Sequence, residues 1–178
     1  MKVKVVNQSS FELPAYATSG AAGMDVKADL KRYWAEQSII TNIDAPTLEM
    51  KPRQQYVIPT GLFFALPEGG YDPMVKDIMS ETTELNRCGW EIDIRPRSGL
   101  AAKHGVTVLN SPGTLDEDYR GELKIILICH NDKGYTVTHG DRIAQILFKK
   151  IIKAGWELVE TLDETKRGTG GFGHTGNK

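Results

Sequence analysis

The chain of 178 residues has few features of a secreted or membrane protein. Its two cysteines, Cys88 and Cys129, are far apart and fit no metal-ligand spacing. The opening residues, MKVKVV, carry positive charge but lack the apolar run of a signal peptide. No stretch has the length and hydrophobicity of a bilayer span, and the net charge of -1 gives no basic field. We therefore expect a cytoplasmic protein with two free thiols that binds neither membrane nor nucleic acid.

Helical periodicity is weak along almost the whole chain. The apolar residues come instead in short β-branched runs, which 18 glycines and 8 prolines punctuate. These runs are residues 3–6, 56–58, 62–66, 91–94, 106–109, 123–129 and 143–148. One short helix is predicted from Ser98 to Lys103, with Ser98 as N-cap and Gly105 as its stop. The pattern predicts one all-β domain, a sandwich or barrel, followed by a flexible tail.

The tail, residues 167–178, reads RGTGGFGHTGNK and contains a single large apolar residue, Phe172. Such a segment builds no core of its own, so the folded domain is expected to cover residues 1–166. Glycine amides can wrap around phosphate oxygens, and Arg167 can neutralise their charge. An aromatic ring can also stack on a base. A disordered end with no function is the alternative interpretation.

Three other segments carry groups that suit a nucleotide. Two arginines and Ser98 precede a predicted helix start, where backbone amides and guanidinium groups bind phosphates well; a solvated surface turn is the alternative. Residues 110–121 form a predicted hairpin in which Asn110 could bind the edge of a base, and three acids could activate water. A solvated acidic loop is the alternative there. Residues 140–145, which include Gln145, open a predicted strand.

Taken together and in order, these segments resemble the five motifs of the homotrimeric deoxyuridine triphosphatase (dUTPase) family. The matching segments are AGMDV at 22–26, RSGLA at 97–101, residues 110–121, GDRIAQ at 140–145 and residues 167–176. The resemblance implies a distorted jelly-roll fold, a homotrimer with active sites shared between subunits, and a tail that closes over the site as a lid. It also implies hydrolysis of dUTP to dUMP and pyrophosphate by water attack on the α-phosphorus. This reaction keeps uracil out of DNA and supplies dUMP for thymidylate synthesis.

The resemblance also assigns roles to individual residues. Asp116 corresponds to the general base, with Asp118 as its rival, and Asp25 lies near Mg²⁺ through water while the triphosphate itself holds the ion. Arg167 would act on the γ-phosphate from a neighbouring tail, and Tyr119 would lie beneath the deoxyribose. The remaining phosphate contacts would be Arg97, Ser98, Gly99 and Gln145. The uracil end would comprise Asn110, Gly113, Thr114, Leu115 and Lys124, with Phe172 and Gly173 contributed by the lid.

The chain departs from the family pattern at several places. His174 stands where serine is usual, Met24 replaces an aromatic residue, and Pro112 removes a backbone donor from the hairpin. Residues 33–51 and 72–87 are insertions relative to a minimal member, and the sequence assigns them no role. Two alternatives stay open: a dCTP deaminase or bifunctional enzyme of the same fold, and a regulatory protein that binds partners through its insertions.

Overall fold

The computed structural model describes residues 1–39, 43–69 and 88–171. These residues form ten strands and two short helices. In chain order the elements are β1 Lys4–Asn7, β2 Met24–Lys27, α1 Leu30–Glu36, β3 Thr47–Met50, β4 Gln55–Ala65, β5 Cys88–Pro96, α2 Ser98–His104, β6 Val106–Val108, β7 Gly113–Asp116, β8 Glu122–Cys129, β9 Tyr135–Thr138 and β10 Arg142–Ile152.

The strands form two four-stranded antiparallel sheets and one two-stranded sheet. The first sheet has the order β1-β4-β8-β6, the second β2-β10-β5-β7, and β3 pairs with β9. Most neighbouring strands are distant in sequence, as in a jelly roll, where the chain passes repeatedly between sheets. The prediction of an all-β, jelly-roll-like fold is confirmed.

One hydrophobic core contains residues from all three sheets. Along β8, Leu123, Ile125, Leu127 and Cys129 are buried, and the residues between them are only partly buried. Strand β8 therefore has one face in the core, whereas its continuous apolar run allowed burial on both faces. Both cysteines are buried thiols.

The predicted run at 56–58 and all but the last residue of the run at 62–66 belong to one strand, β4, which has an irregularity between Pro59 and Phe63. Gly61 lies there with φ of +70°, and an added Cβ would stand 2.7 Å from the backbone nitrogen of Ser9. The side-chain hydroxyl of Thr60 donates to the Leu123 carbonyl at 2.7 Å, which fastens the irregular segment to β8. This irregularity shapes the first sheet beside the site described below.

Two helices are present where the sequence predicted one. Helix α2 confirms the predicted position and its stop at Gly105, which adopts φ of +62°. The prediction of Ser98 as N-cap is wrong, because Arg97 occupies the cap position in extended conformation and Ser98 is the first helical residue. Helix α1 was not predicted; the Asp29 carboxylate caps it by accepting a hydrogen bond from the Arg32 amide at 3.1 Å.

The described residues of the insertion at 33–51 contribute to the fold, since they contain the end of α1 and the whole of β3. The insertion at 72–87 lies outside the described residues. Within the described ranges, no helix is long or apolar enough to cross a membrane.

Candidate active site

A cavity of about 230 Å³ lies beside β7 and β8. Six predicted site residues from the 110–124 segment line it, and most of them belong to the predicted hairpin at 110–121. We therefore call it the hairpin cavity. The six residues are Asn110, Thr114, Leu115, Asp116, Tyr119 and Lys124. Apolar residues from β4, β5 and β8 complete its wall. Polar groups that converge on a largely apolar cavity are typical of small-molecule sites.

Strand pairing positions this part of the chain. Strand β7 runs antiparallel to β5, with Gly113 opposite Ile94 and Asp116 opposite Glu91. An added Cβ at Gly113 would lie 3.2 Å from both the Asn110 amide nitrogen and the Ile94 Cβ. The missing side chain of Gly113 therefore lets Asn110 lie close against the strand backbone.

Tyr119 lies against another glycine in the same segment. An added Cβ at Gly121 would be 2.3 Å from the Tyr119 hydroxyl oxygen, so no larger residue fits there without moving the ring. The hydroxyl donates to the Glu122 carbonyl at 3.3 Å, and the residue is still 46% exposed. The ring thus lies at the cavity, close against Gly121, and keeps a surface for a ligand.

The three consecutive acids at 116–118 have different surroundings. Glu117 points away from the hairpin cavity: Lys153 lies 2.6 Å from its carboxylate, and the Trp90 amide donates to it at 3.2 Å. The hydrogen bond from Lys153 lowers the pKa of Glu117, against the opposing effect of burial. Asp116 lines the hairpin cavity, whereas neither Glu117 nor Asp118 does. The geometry therefore favours Asp116 as the acid that faces a ligand.

A second group of polar residues lies at the start of β10. The Asp25 carboxylate accepts a hydrogen bond from Arg97 at 3.1 Å and from Arg142 at 3.2 Å. Arg97 also donates to the Arg142 carbonyl at 3.0 Å. We call these three residues, with the neighbouring Gln145, the arginine–aspartate cluster. Two arginines and one carboxylate leave it with a formal charge of +1, which suits a polyanion.

Gln145 and the two predicted residues after Arg97 adjoin this cluster. Gln145 is opposite Asp25 in the β10–β2 register, and its amide nitrogen donates to the Pro96 carbonyl at 2.9 Å. An added Cβ at Gly23 would come within 2.7 Å of the Gln145 side-chain oxygen, so glycine allows this packing. Ser98 and Gly99 open α2, and an added Cβ at Gly99 would meet no protein atom within 4 Å. Packing within the chain therefore does not require glycine at position 99.

Two arginines of this region, Arg95 and Arg142, bind carboxylates of the same chain. Arg95 was grouped with Arg97 as a possible phosphate ligand, but its guanidinium binds the Asp93 carboxylate at 2.7 and 3.0 Å. Burial raises the pKa of Asp93, but hydrogen bonds from Lys149 and Arg95 outweigh that effect and lower it overall. Arg142 binds Asp25 and not its chain neighbour Asp141, whose carboxylate accepts from the Thr138 amide at 2.8 Å.

The two groups of residues lie at opposite edges of the second sheet. Asp25 is on β2 and Asp116 on β7, three strand spacings apart, which corresponds to about 14 Å. Asp116 pairs with Glu91 on β5, whereas Gln145, the β10 partner of Asp25, pairs with Arg95 further along β5. This offset along β5 adds about 13 Å in the strand direction. Within one chain, Asp116 and Asp25 are therefore about 20 Å apart.

A divalent metal would find only a partial ligand set on this chain. Among the described residues, no group of three or more His, Cys, Asp or Glu side chains could hold a metal ion. Asp25 offers one carboxylate with a side chain 30% exposed, and both of its oxygens already accept from arginines. This donor set fits an ion that is held mainly by a bound polyphosphate and contacts Asp25 through water.

The tail is described only in part. Arg167 is exposed, and its Nε donates to the Gly170 carbonyl at 2.8 Å within the same turn. In the described structure it lies in neither the hairpin cavity nor the arginine–aspartate cluster. Phe172, Gly173 and His174 lie outside the described residues.

The chain matches a family model, and it matches relatives along nearly their full length. Residues 84–176 match the family model described as dUTPase. The deoxyuridine 5'-triphosphate nucleotidohydrolase of Fusobacterium nucleatum is 41% identical over 176 residues, which cover 99% of this chain and 97% of that protein. The protein of the same name from Finegoldia magna is also 41% identical, over 99% of both chains.

Solved structures of dUTPases share the fold. A mutant of the Staphylococcus bacteriophage 80alpha dUTPase with dUpNHpp superposes with a TM-score of 0.68 at 18% identity and 98% coverage of both chains. A mutant dUTPase from phage phi11 of S. aureus, described for its coordination of a structural Mg(II) ion, gives a TM-score of 0.63 at 17% identity over 92% of this chain and all of that one. At these identities the structural likeness supports the fold, and the sequence matches establish the family. The chain belongs to the dUTPase family.

Proposed function

We propose that the chain hydrolyses dUTP to dUMP and pyrophosphate in the cytoplasm, which removes dUTP before it enters DNA and supplies dUMP for thymidylate synthesis. The observation that carries this proposal is the hairpin cavity of a dUTPase-family chain. There an acid, an amide and an aromatic ring line one space beside β7 and β8. Each of these groups matches a different part of a deoxyuridine nucleotide.

The base would bind against the backbone of β7 and β8. Uracil presents two carbonyl acceptors and one N–H donor, and the Asn110 amide together with backbone groups near Gly113, Thr114, Leu115 and Lys124 offers the complementary set. Cytosine would leave some of these groups unpaired, which is costly in a closed site. Tyr119, held against Gly121, would occupy the space that a ribose 2'-hydroxyl needs.

Asp116 would orient the water that attacks the α-phosphorus. The new bond forms between the water oxygen and this phosphorus, the bond to the bridging oxygen breaks, and pyrophosphate leaves. The proton from water passes to the Asp116 carboxylate. Because a carboxylate is a weak base, its main contribution would be to hold the water in line with the leaving group. Its position in the hairpin cavity, away from the Glu117–Lys153 pair, supports this role.

The phosphates would bind at the arginine–aspartate cluster. Arg97, Ser98, Gly99 and Gln145 would contact their oxygens, because guanidinium groups and backbone amides bind phosphate well. Asp25 would face a magnesium ion through water and hold Arg97 in place. When bound, Mg²⁺ supplies neutralisation of the triphosphate charge and a fixed α-phosphate geometry.

These two parts would come from different subunits of a homotrimer. Asp116 must lie within reach of the α-phosphorus directly or through one water, and Asp25 must reach, through water, a magnesium ion held by the same triphosphate. Their separation of about 20 Å within one chain does not permit this. Closed cyclic symmetry would repeat such a shared site at every interface.

The tail, residues 167–178, would close over the site as a lid from a neighbouring subunit. Arg167 would neutralise the γ-phosphate, and Phe172 would stack over the uracil with Gly173 beside it. Arg167 is exposed and makes only a local backbone contact among those described, which leaves its guanidinium accessible. Closure would exclude bulk water from the reaction.

Pyrophosphate release from dUTP, dCTP, dTTP and UTP tests this function, with each substrate assayed in magnesium and in chelator. We expect rapid release from dUTP alone and only with magnesium. Ammonia release from dCTP would instead identify a deaminase of the same fold. No release from any of the four would contradict the proposal and favour a protein that acts through partner binding.

A further inference from the structure

Four charged side chains join helix α1 to the wall of the hairpin cavity. Arg32 and Glu36 come from α1, and Glu122 and Lys124 come from β8. The signs alternate: Arg32 binds Glu122 at 3.0 Å, and Lys124 lies 3.9 Å from Glu122 and 2.8 Å from Glu36. Glu122 and Lys124 line the cavity, and the two α1 residues reach it only through them.

Glu36 is the main partner of the Lys124 ammonium. Lys124 Nζ donates to both Glu36 carboxylate oxygens, at 2.9 and 2.8 Å. The other nearby acid, Glu122, is already engaged: one oxygen accepts from Arg32 and the other from the Gly61 amide at 2.7 Å. The position of the Lys124 ammonium group therefore depends mainly on Glu36, which does not line the cavity.

The direction of the Lys124 side chain determines how much of the cavity is open to a nucleotide. An ammonium group on a four-carbon stem is flexible and carries three donors without an acceptor. Without Glu36, the Lys124 ammonium loses its main partner and is free to turn into the cavity, which Lys124 and Asp116 both line. Lys124 and Glu36 side chains are 36% and 38% exposed, so the pair lies at the rim, where the lysine has room to move.

We propose that Glu36 is a positioning residue for the nucleotide: it holds the Lys124 side chain against α1, which keeps the base end of the hairpin cavity open. This inference rests on the proposed function. It gives a role to the end of α1, the first part of the insertion at 33–51.

The test compares Glu36→Gln with the unaltered protein, using dUTP turnover and binding of dUMP. We expect KM for dUTP and Kd for dUMP to rise roughly two- to tenfold while kcat stays constant, the range for a partly exposed pair within a network. The matched control is Asp132→Asn, which removes the exposed Arg53–Asp132 ion pair at 3.1 Å and should change neither constant. A purely structural role would lower the melting temperature and kcat while leaving KM unchanged.

A double-mutant cycle decides whether Glu36 acts through Lys124. In a Lys124→Met background, Glu36→Gln should have no further effect on KM or on dUMP binding. The same increase in both backgrounds would overturn the inference, as would unchanged KM and Kd in the single variant. If the unaltered protein neither hydrolyses dUTP nor binds dUMP, the proposed function fails instead, and the two failures are thereby distinguished.

Discussion

At the scale of single residues, the acids at 116–118 differ by their neighbours rather than by their chemistry. Asp116 lines the hairpin cavity, while Lys153 engages Glu117. We expect Asp116→Asn to lower kcat by a factor on the order of 10²–10⁴ and to leave dUTP binding nearly unchanged, because the amide keeps the shape but accepts no proton. Single-turnover kinetics with a binding titration measures both. Asp118→Asn is the control and should remain active; loss of binding in Asp116→Asn would show that this acid has another role.

Tyr119 carries the discrimination between deoxyribose and ribose in this account. Its ring lies close over Gly121, which has no side chain to displace it, and its hydroxyl donates to the Glu122 carbonyl. Replacing it with alanine should open space for a 2'-hydroxyl, so the ratio of kcat/KM for dUTP over UTP should fall roughly ten- to hundredfold. The ratio is measured with both nucleotides for the unaltered protein, Tyr119→Ala and Tyr119→Phe. Phenylalanine should preserve the discrimination, and UTP exclusion that survives in the alanine variant would contradict the assignment.

His139 predicts how folding stability depends on pH. Its ring is buried against Phe11, and its Nδ1 accepts a hydrogen bond from the Leu30 amide at 3.1 Å, so the folded state favours the neutral ring. Burial lowers the pKa of His139 below its ordinary value of 6.5, although Asp29 opposes the shift. A lowered pKa in the folded state means that the stabilisation is complete above pH 6.5 and is lost as the pH falls through the folded-state pKa.

His139→Asn isolates this contribution, because the amide oxygen can still accept from the Leu30 amide but does not titrate. Melting temperatures between pH 8 and pH 5 should fall more steeply for the unaltered protein than for the variant. Parallel curves would mean that His139 does not contribute to acid destabilisation.

Residue roles that depend on distant partners were the least predictable from sequence. Asp25 and Arg142 are 117 positions apart, and no local pattern connects them. The same holds for Glu36 and Lys124, which are 88 positions apart. By contrast, Asn110, Thr114, Asp116 and Tyr119 belong to one short segment, so a local motif placed them together and the structure brings them to one cavity.

At the scale of elements, the β-branched runs predicted the core strands well, because burial of alternate side chains leaves a clear pattern. Strands β3 and β9 were missed, since each is four residues long and their pairing spans 91 positions between Thr47 and Thr138. Helix α1 was missed because its seven residues carry no amphipathic repeat. Contacts outside the helix, including the Asp29 cap and the bonds to β8, hold it in place.

The tail is the element whose role can be tested by removal. Residues 153–171 have no strand or helix, and residues 160–169 are exposed, so deletion of 167–178 should not disturb the core. We expect the truncated protein to keep its melting temperature and oligomeric state and to lose at least about tenfold in kcat/KM, because the proposed lid would supply Arg167 and Phe172. Size-exclusion chromatography and turnover measure these effects. Full activity without the tail would contradict the lid.

At the scale of the whole molecule, a single chain leaves large apolar side chains in water. Trp156 and Leu158 are fully exposed, and Leu162 is 84% exposed, all in the segment after β10. Apolar side chains grouped in this way are typical of surfaces that another chain covers. Together with the separation of the hairpin cavity from the arginine–aspartate cluster, they support an assembly in which copies complete one another's sites.

Co-expression of two differently tagged inactive variants, Asp116→Asn and Asp25→Asn, tests this shared site most directly. Each variant alone should be nearly inactive, because every site lacks one of the two carboxylates. In the proposed homotrimer, mixed assemblies purified through both tags should recover about one third of the unaltered activity, since one of the three interfaces would then join an intact Asp116 to an intact Asp25. Mixed trimers as inactive as their parents would show that the two carboxylates act within one chain, and would contradict the account.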